Sequence, residues 1–141
     1  MATHHLYRGF YESLLAGEID ASSDTIKVML VTSAYTPNQQ AHRYLSSVTG
    51  EAEGIGYTAG GQELENTIVT ANGLSVTVDA DDTAWESSTV SGRYLVLYVE
   101  KDTPAESPLI SCVDFEETVS TTSGTFQSVW NSLGILTLTA A

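Results

Sequence analysis

The feature that most constrains the fold is a long succession of short β-forming segments, which begins near Gln62 and continues to the end of the chain. Asn72-Gly73 is the strongest turn signal among them, because this dipeptide is typical of two-residue hairpins. After it, Leu74, Val76 and Val78 alternate with polar residues, which predicts a strand with one buried and one exposed face. About seven or eight such strands, with turns roughly every 8 to 12 residues, indicate a sandwich or barrel.

The predicted strands differ in how apolar they are. One predicted strand, residues 25–32, precedes that succession and is nearly continuous in apolar residues, so we expect it to be buried on both faces and to lie near the centre of a sheet. None of the others is longer, and the last two are expected to form a final hairpin. They cover residues 64–70, 74–79, 92–99, 109–115, 125–130 and 135–139, with the final turn at residues 131–134.

Two helices are predicted beside these strands. Apolar residues recur every four positions from Leu6 to Leu14, which predicts an N-terminal amphipathic helix that ends near Gly17. Thr36-Pro37 resembles an N-cap followed by proline at the first helical position. It predicts a short inserted helix over residues 38–48.

Length and composition indicate one folded domain. The chain has 141 residues, a mass of 15.1 kDa and 42% hydrophobic residues, enough to bury a real core. We therefore predict a single domain, residues 1–141, of mainly β class. The expected architecture is an antiparallel β-sandwich or jelly-roll-like barrel, with an N-terminal helix and one short inserted helix.

The charge balance excludes several classes of partner. The sequence has 18 acidic and 5 basic residues, which gives a net charge of −13. Phosphate backbones and anionic membranes are bound by clustered Lys and Arg, whereas the basic residues here are scattered. We expect no nucleic-acid and no membrane partner. The acidity is consistent with keeping free copies dispersed, and equally with a saline habitat that screens self-repulsion.

The glycine-rich segment Gly54–Gln62 imitates a nucleotide-binding motif. Its pattern Gly54-x-Gly56-x-x-Ala59 has the letters of the dinucleotide fingerprint. The context does not fit, since no strand precedes it, a strand rather than a helix follows it, and Glu51 and Glu53 would repel a pyrophosphate. The segment is therefore expected to be a shaped loop, and we expect no cofactor.

No motif for metal binding or catalysis stands out. Asp79–Asp82 with Glu86 lacks the glycine-centred spacing of a calcium loop, and it is expected to be a solvated turn. No nucleophile elbow occurs, so no catalytic residue is assigned, although converging pairs of carboxylates stay open. Trp85 and Trp130 are interpreted as core residues rather than sugar platforms. Cys112 lies in a strand-like context without basic neighbours and is expected to be a buried, inert thiol.

Five short segments, spread over most of the chain, carry a resemblance to a known family. They are DTIKV (24–28), VTSAYTP (31–37), GYTAGG (56–61), DADDTAW (79–85) and GILTL (134–138). In this order they resemble a family of small structural proteins of tailed bacteriophages. The resemblance implies a jelly-roll-like or sandwich module that locks neighbouring capsomers together, and it carries no catalytic residue.

The resemblance leads to a functional expectation. The chain is expected to be a non-enzymatic capsid decoration, or cement, protein. It would be made in the host cytoplasm and bind the major capsid protein on the outer surface of the virion as a homodimer or homotrimer. The alternatives are a tail, neck or baseplate component, or a carbohydrate- or receptor-binding β-sandwich. The residues expected to contact neighbouring subunits or the capsid are Tyr7, Phe10, Tyr11, Tyr57, Gly60 and Gly61.

Overall fold

Antiparallel strands make up most of the computed structural model, which describes residues 3–130 and 134–140. One α-helix and two short 3-10 turns, Leu45–Ser47 and Pro104–Glu106, accompany them. The elements in chain order are β1 (Thr3–Leu6), α1 (Arg8–Leu15), β2 (Ile26–Val31), β3 (Gln62–Glu63), β4 (Ile68–Asn72), β5 (Ser75–Asp79), β6 (Thr83–Ser88), β7 (Ser91–Val99), β8 (Leu109–Ser120), β9 (Gly124–Ser128) and β10 (Leu136–Thr139).

The strands form three sheets. A five-stranded sheet has the order β1-β8-β7-β2-β3, a three-stranded sheet the order β10-β5-β4, and a two-stranded sheet joins β6 to β9. Every described pair of strands is antiparallel. The predicted class is confirmed: the fold is mainly β and sandwich-like.

The central strands of the five-stranded sheet, β2 and β7, are largely buried on both faces, as the nearly continuous apolar sequence of residues 25–32 predicts for β2. In β2, Val28 and Leu30 belong to the core cluster on one face, whereas Met29 and Val31 belong to the cluster on the other. The first cluster continues into the smaller sheets, where the ring centroids of Trp85 and Phe126 lie 6.0 Å apart. This core fixes the positions of all three sheets.

The second cluster lies between the other face of the five-stranded sheet and the segment that follows β2, whereas Phe10 and Leu14 of α1 pack in the first cluster. The second cluster includes Tyr7, Tyr35 and Cys112, with Leu45 and Val48 packed against it. α1 begins later than predicted, because residues 3–6 are taken up by β1, which pairs with β8 from Thr3 opposite Asp114 onwards. The two terminal histidines therefore belong to a strand.

The short inserted helix is present only as the 3-10 turn Leu45–Ser47. Two backbone groups in the middle of residues 38–48 are hydrogen-bonded to distant segments instead. The Leu45 N–H donates to the Ser107 carbonyl at 2.8 Å, and the Leu109 N–H donates to the Arg43 carbonyl at 2.8 Å. Because these groups are engaged elsewhere, they cannot form helical i→i−4 bonds.

The predicted final hairpin is wrong. β9 pairs with β6, whereas β10 pairs with β5, so the two last strands belong to different sheets. The intervening residues 131–133 lie outside the described part of the chain. The sequence predicts only a turn at Asp79–Asp82 in this region, whereas the structure has the six-residue strand β6 directly after it.

Candidate interaction surface

The β4–β5 hairpin projects a well-defined surface. Its turn is Gly73-Leu74, with Gly73 at a φ of +62°, and Asn72 opposes Ser75. A glycine with positive φ at the first central position is the requirement of a tight primed turn, whose twist matches that of the strands. The hairpin predicted from Asn72-Gly73 is confirmed, with its turn centred one residue later.

The two faces of the β10-β5-β4 sheet have different chemistry. On the inner face, Val69 opposes Val78, and Leu136 opposes Val78 from the other side. On the outer face, cross-strand pairs of hydroxyl groups are hydrogen-bonded: Ser75 to Thr139 at 2.8 Å and Thr77 to Thr137 at 3.0 Å. The sheet thus presents an apolar side towards the body of the protein and a hydroxyl-rich side to solvent.

The hairpin is uncharged and apolar although it is exposed. No Asp, Glu, Lys or Arg occurs from Thr67 to Val78, in a chain with a net charge of −13. Half of the large hydrophobic side chains that are exposed in the described residues lie here: Ile68, Val69, Leu74 and Val76. Ile68 is 58% exposed and Leu74, at the tip, is 70% exposed. A clustered apolar patch of this kind is typical of an interaction site.

An apolar groove of about 390 Å³ adjoins this patch, between the inner face of the sheet and the end of α1. Most of its walls are aliphatic or aromatic, and Asp20 and Ser22 are its only polar lining residues. The groove makes the apolar surface continuous from the hairpin to the helix. Its apolar walls come from Phe10, Leu14, Ile19, Ala21, Val69, Val76, Val78, Leu136 and Leu138.

The basic residues all lie outside this surface and are engaged in ion pairs. Arg43 contacts both Glu12 and Glu18, at 3.4 and 3.3 Å, and so ties its segment to α1. Because each positive charge faces a carboxylate, the surface potential is dominated by the unpaired acids. The other ion pairs are Arg8–Glu12, Lys27–Glu100, Arg93–Asp114 and Lys101–Asp24.

No helix in residues 3–130 or 134–140 is long and apolar enough to span a bilayer.

Two of the predicted contact residues are core residues instead. Tyr7 is fully buried and Phe10 is 2% exposed, so neither side chain is available to a neighbouring subunit. Their helical spacing is typical of an apolar face, but that face packs on the protein's own sheet. Tyr11 of the same helix is exposed, and its role as a contact stays a prediction.

The other three predicted contact residues belong to a loop that is pinned to the sheet. The Tyr57 hydroxyl and the Gly60 N–H both donate to one carboxylate oxygen of Glu51, at 2.7 and 2.6 Å. Burial, followed by the hydrogen bond to Glu51, raises the pKa of Tyr57. The Gly60 carbonyl in turn accepts a hydrogen bond from the Tyr98 hydroxyl at 2.6 Å. The loop is shaped, as predicted, and its bonds point inwards.

Gly61 is required for the close approach of this loop to β2. A Cβ atom at this position would collide with the backbone carbonyl of Val28, and its φ is +82°. Gly60 also has a positive φ, of +93°, but a Cβ there would meet only ordinary contacts. The glycines of this loop therefore have a structural explanation, and their role as subunit contacts stays a prediction.

A buried polar chain connects the core to the surface. The Tyr7 and Tyr35 hydroxyls are hydrogen-bonded at 2.8 Å, and the Tyr35 hydroxyl is also bonded to His42 Nδ1 at 2.8 Å. Burial raises the pKa of Tyr35 to about 12 and lowers the pKa of His42. Burial likewise raises the pKa of Cys112 to about 12, so this thiol is buried as predicted and stays protonated. These groups anchor residues 35–42 to the core.

The remaining residues named from the sequence do not form a site. Trp85 is 2% exposed in the core, and the Trp130 indole N–H donates to the Asp81 carbonyl at 3.0 Å. Asp82 accepts a hydrogen bond from the Trp130 backbone at 2.9 Å. Within the described residues, no group of three or more His, Cys, Asp and Glu is arranged to hold a metal ion.

No protein-family model matches this chain, and no significant match was found among curated proteins or solved structures. The function must therefore be inferred from the residues and their geometry.

Proposed function

We propose that this protein is a non-enzymatic structural component of a tailed-phage virion, a decoration protein that binds the major capsid protein on the outer surface of the head. The observation that carries the proposal is the uncharged, apolar β4–β5 hairpin on an otherwise acidic molecule. Ordinary soluble domains rarely expose such a concentrated patch unless a partner covers it. The assignment to a phage virion rests on the sequence resemblance.

The scaffold supports this role physically. A cement protein has to hold its contact surface rigidly, and the core of the five-stranded sheet extends into the sheet that carries the hairpin. The net charge of −13 keeps free copies apart in solution. Contact through an uncharged hairpin avoids bringing those charges together, so binding to the shell does not have to overcome local repulsion.

A tail, neck or baseplate position is the alternative within the same class, since the same hairpin would serve there. The carbohydrate-binding alternative is weaker. It requires an aromatic ring presented in a groove, whereas Trp85 lies in the core and the Trp130 ring is tied to the Asp81 carbonyl. The absence of binding in a glycan titration would exclude the carbohydrate-binding alternative.

Cryo-electron microscopy of particles from the phage that encodes the chain tests the position directly. Many copies of this fold on the shell lattice are expected. A few copies at the neck or tail would replace the decoration role with the alternative, and particles without the chain would overturn the virion assignment altogether.

Binding to heads purified from a deletion strain tests the surface. Leu74→Ser removes the exposed apolar tip, and we expect about tenfold weaker cosedimentation, or about 1.4 kcal/mol. Leu15→Ser is the matched control, because Leu15 is 89% exposed at the end of α1, outside the hairpin. Equal binding by both variants and the unmodified chain would show that the hairpin does not contact the shell.

A further inference from the structure

We propose that β4 is a self-pairing edge: two copies of this chain join their β4 strands antiparallel about a two-fold axis, which makes one continuous six-stranded sheet. The order β10-β5-β4 leaves β4 at the end of its sheet, and no other strand in the described residues pairs with its outer side. Backbone N–H and C=O groups on such an edge form a template for another strand. The inference deepens the homo-oligomer part of the proposed function, but its evidence is the strand itself.

The edge lacks the features that normally block strand addition. β4 has the sequence IVTAN, with no charge, proline or glycine, and its ladder to β5 runs without a bulge. It is the only described strand in which every residue is exposed. Two other edge strands differ, one in the five-stranded sheet and one at the opposite edge of the sheet that contains β4. β3 has only two residues, one of which is Glu63, and β10 has Leu136 buried and Leu138 half-buried.

The register follows from the hairpin geometry. Asn72 and Ser75 flank the two-residue turn and are hydrogen-bonded to each other, and bonded pairs alternate along an antiparallel ladder. The backbone groups of Val69 and Ala71 therefore point away from β5. A two-fold axis at Thr70 places Val69 of each copy opposite Ala71 of the other, and about four new backbone hydrogen bonds form.

Charge favours this antiparallel arrangement over a parallel one. The base of the hairpin is acidic, with Glu65, Asp79 and Asp81, whereas its tip, Gly73-Leu74, is uncharged. In the antiparallel pair the acidic base of each copy lies beside the uncharged tip of the other. A parallel pair would place the two acidic bases together, and like charges at adjacent positions are destabilising. The second copy is therefore an electrostatically suitable partner in one orientation only.

Cysteine cross-linking tests both the pairing and its register. At the two-fold axis, the Thr70 residues of two copies form a pair without hydrogen bonds, with Cα atoms about 4.5 Å apart. This separation is within the range that a disulfide bridges, about 4.4–6.8 Å. Thr70→Cys treated with copper–phenanthroline is therefore expected to give a covalent dimer in high yield. The native Cys112 is buried, so the unmodified chain is the blank.

Ile68→Cys is the matched control for register. Ile68 would lie opposite Asn72 of the partner, so its own counterpart is displaced by roughly 13 Å along the strand. Little cross-linking is expected, although Ile68 is also well exposed. Equal yields from the two variants would indicate random collision and would overturn the proposed register.

A charge variant tests the pairing without covalent chemistry. The unmodified chain is expected to show twice the single-chain mass of 15.1 kDa in light scattering at high concentration. Thr70→Lys places two ammonium groups opposite each other and should return the mass to one chain. Thr125→Lys, at an exposed position of β9, makes the same change in net charge and should leave the dimer intact.

The outcomes separate this inference from the proposed function. Unmodified protein that stays monomeric at the highest soluble concentration, or a dimer that survives Thr70→Lys, would overturn self-pairing. A monomer that still binds phage heads would leave the proposed function standing while this inference fails. A dimer that does not bind phage heads would mean that self-pairing stands while the proposed function fails.

Discussion

The five-stranded sheet and the β10-β5-β4 sheet are built from similar β-branched sequences but are covered very differently. In β7, six consecutive residues from Tyr94 to Val99 are buried, whereas in β4 all five residues are exposed. Both faces of the larger sheet carry a core cluster of the chain itself. The smaller sheet has its inner face partly open to a groove and its outer face in solvent.

The comparison shows that strand-forming sequence does not by itself distinguish core from contact surface. What differs is the amount of the same chain that remains to cover each sheet. Phe10 of α1 belongs to the cluster on one face of the larger sheet, and Tyr35, Leu45 and Val48 belong to the cluster on the other, while nothing in residues 3–130 or 134–140 pairs with the outer edge of β4. Substitutions in the two regions should therefore differ sharply in their effect on stability.

The largest difference is expected for leucine truncation. Leu97→Ala, in the buried sheet, should lower the free energy of unfolding by about 2–5 kcal/mol, because it leaves a cavity. Leu74→Ala, at the hairpin tip, should change it by less than about 0.5 kcal/mol. Urea denaturation at matched protein concentration measures both. Similar losses would show that the hairpin is part of the stabilising core.

A glycine pair sharpens the same contrast. Gly61→Ala should destabilise the fold by about 2–4 kcal/mol, since it combines a positive φ with a collision at the Val28 backbone. Gly73→Ala has the φ strain alone, because the turn is open, and should cost about 1–2 kcal/mol. Thermal unfolding followed by circular dichroism ranks the two. The reverse order would contradict the close approach of the loop to β2.

A smaller effect is expected from removing one hydroxyl group. Tyr7→Phe removes the buried hydrogen bond to Tyr35 and should lower the free energy of unfolding by about 1–2 kcal/mol. Tyr11→Phe, on the exposed side of α1, should have almost no effect. Chemical denaturation compares the two variants. Equal stability of both would mean that the Tyr7–Tyr35 contact contributes nothing.

The smallest effect concerns pH. Burial lowers the pKa of His42 in the folded protein below its ordinary value of 6.5, so the unfolded chain binds the proton more readily. Stability from this group is complete above pH 6.5 and is lost as pH falls through the folded pKa. His42→Asn keeps an acceptor near Tyr35 without this titration, so it should lose less stability between about pH 7.5 and about pH 5. Parallel profiles for the two proteins would contradict the shift.

Much of the fold can be predicted because its strongest signals are local. The continuous apolar sequence of β2 and the turn signal at Asn72-Gly73 identify a doubly buried strand and a hairpin. β1 could not be found, since His4 and His5 are polar and the strand is fixed by partners more than a hundred residues away. The prediction of the inserted helix was wrong for a related reason. Thr36-Pro37 is a local signal, whereas backbone groups of the segment that follows are hydrogen-bonded to residues near Ser107.

The contact surface is harder to predict than the fold. An apolar helical face has the same spacing in a core as in an interface, so the sequence could not show that Tyr7 and Phe10 are buried. The hairpin did carry a usable signal, the uncharged run from Thr67 to Val78 in a chain of net charge −13. Recognising its meaning requires the exposure of β4, which depends on how the whole chain packs.

The pairing of sequence-distant strands has a consequence for biosynthesis. β1 leaves the ribosome early, yet its partner β8 is translated about a hundred residues later, and β10 reaches β5 only after β6 to β9 have been made. Folding of such non-local pairs is slow because long loops must close first. The emerging polypeptide therefore exposes the unfinished β4–β5 hairpin until β10 has been made, and crowded nascent chains on one polysome are where premature association would begin.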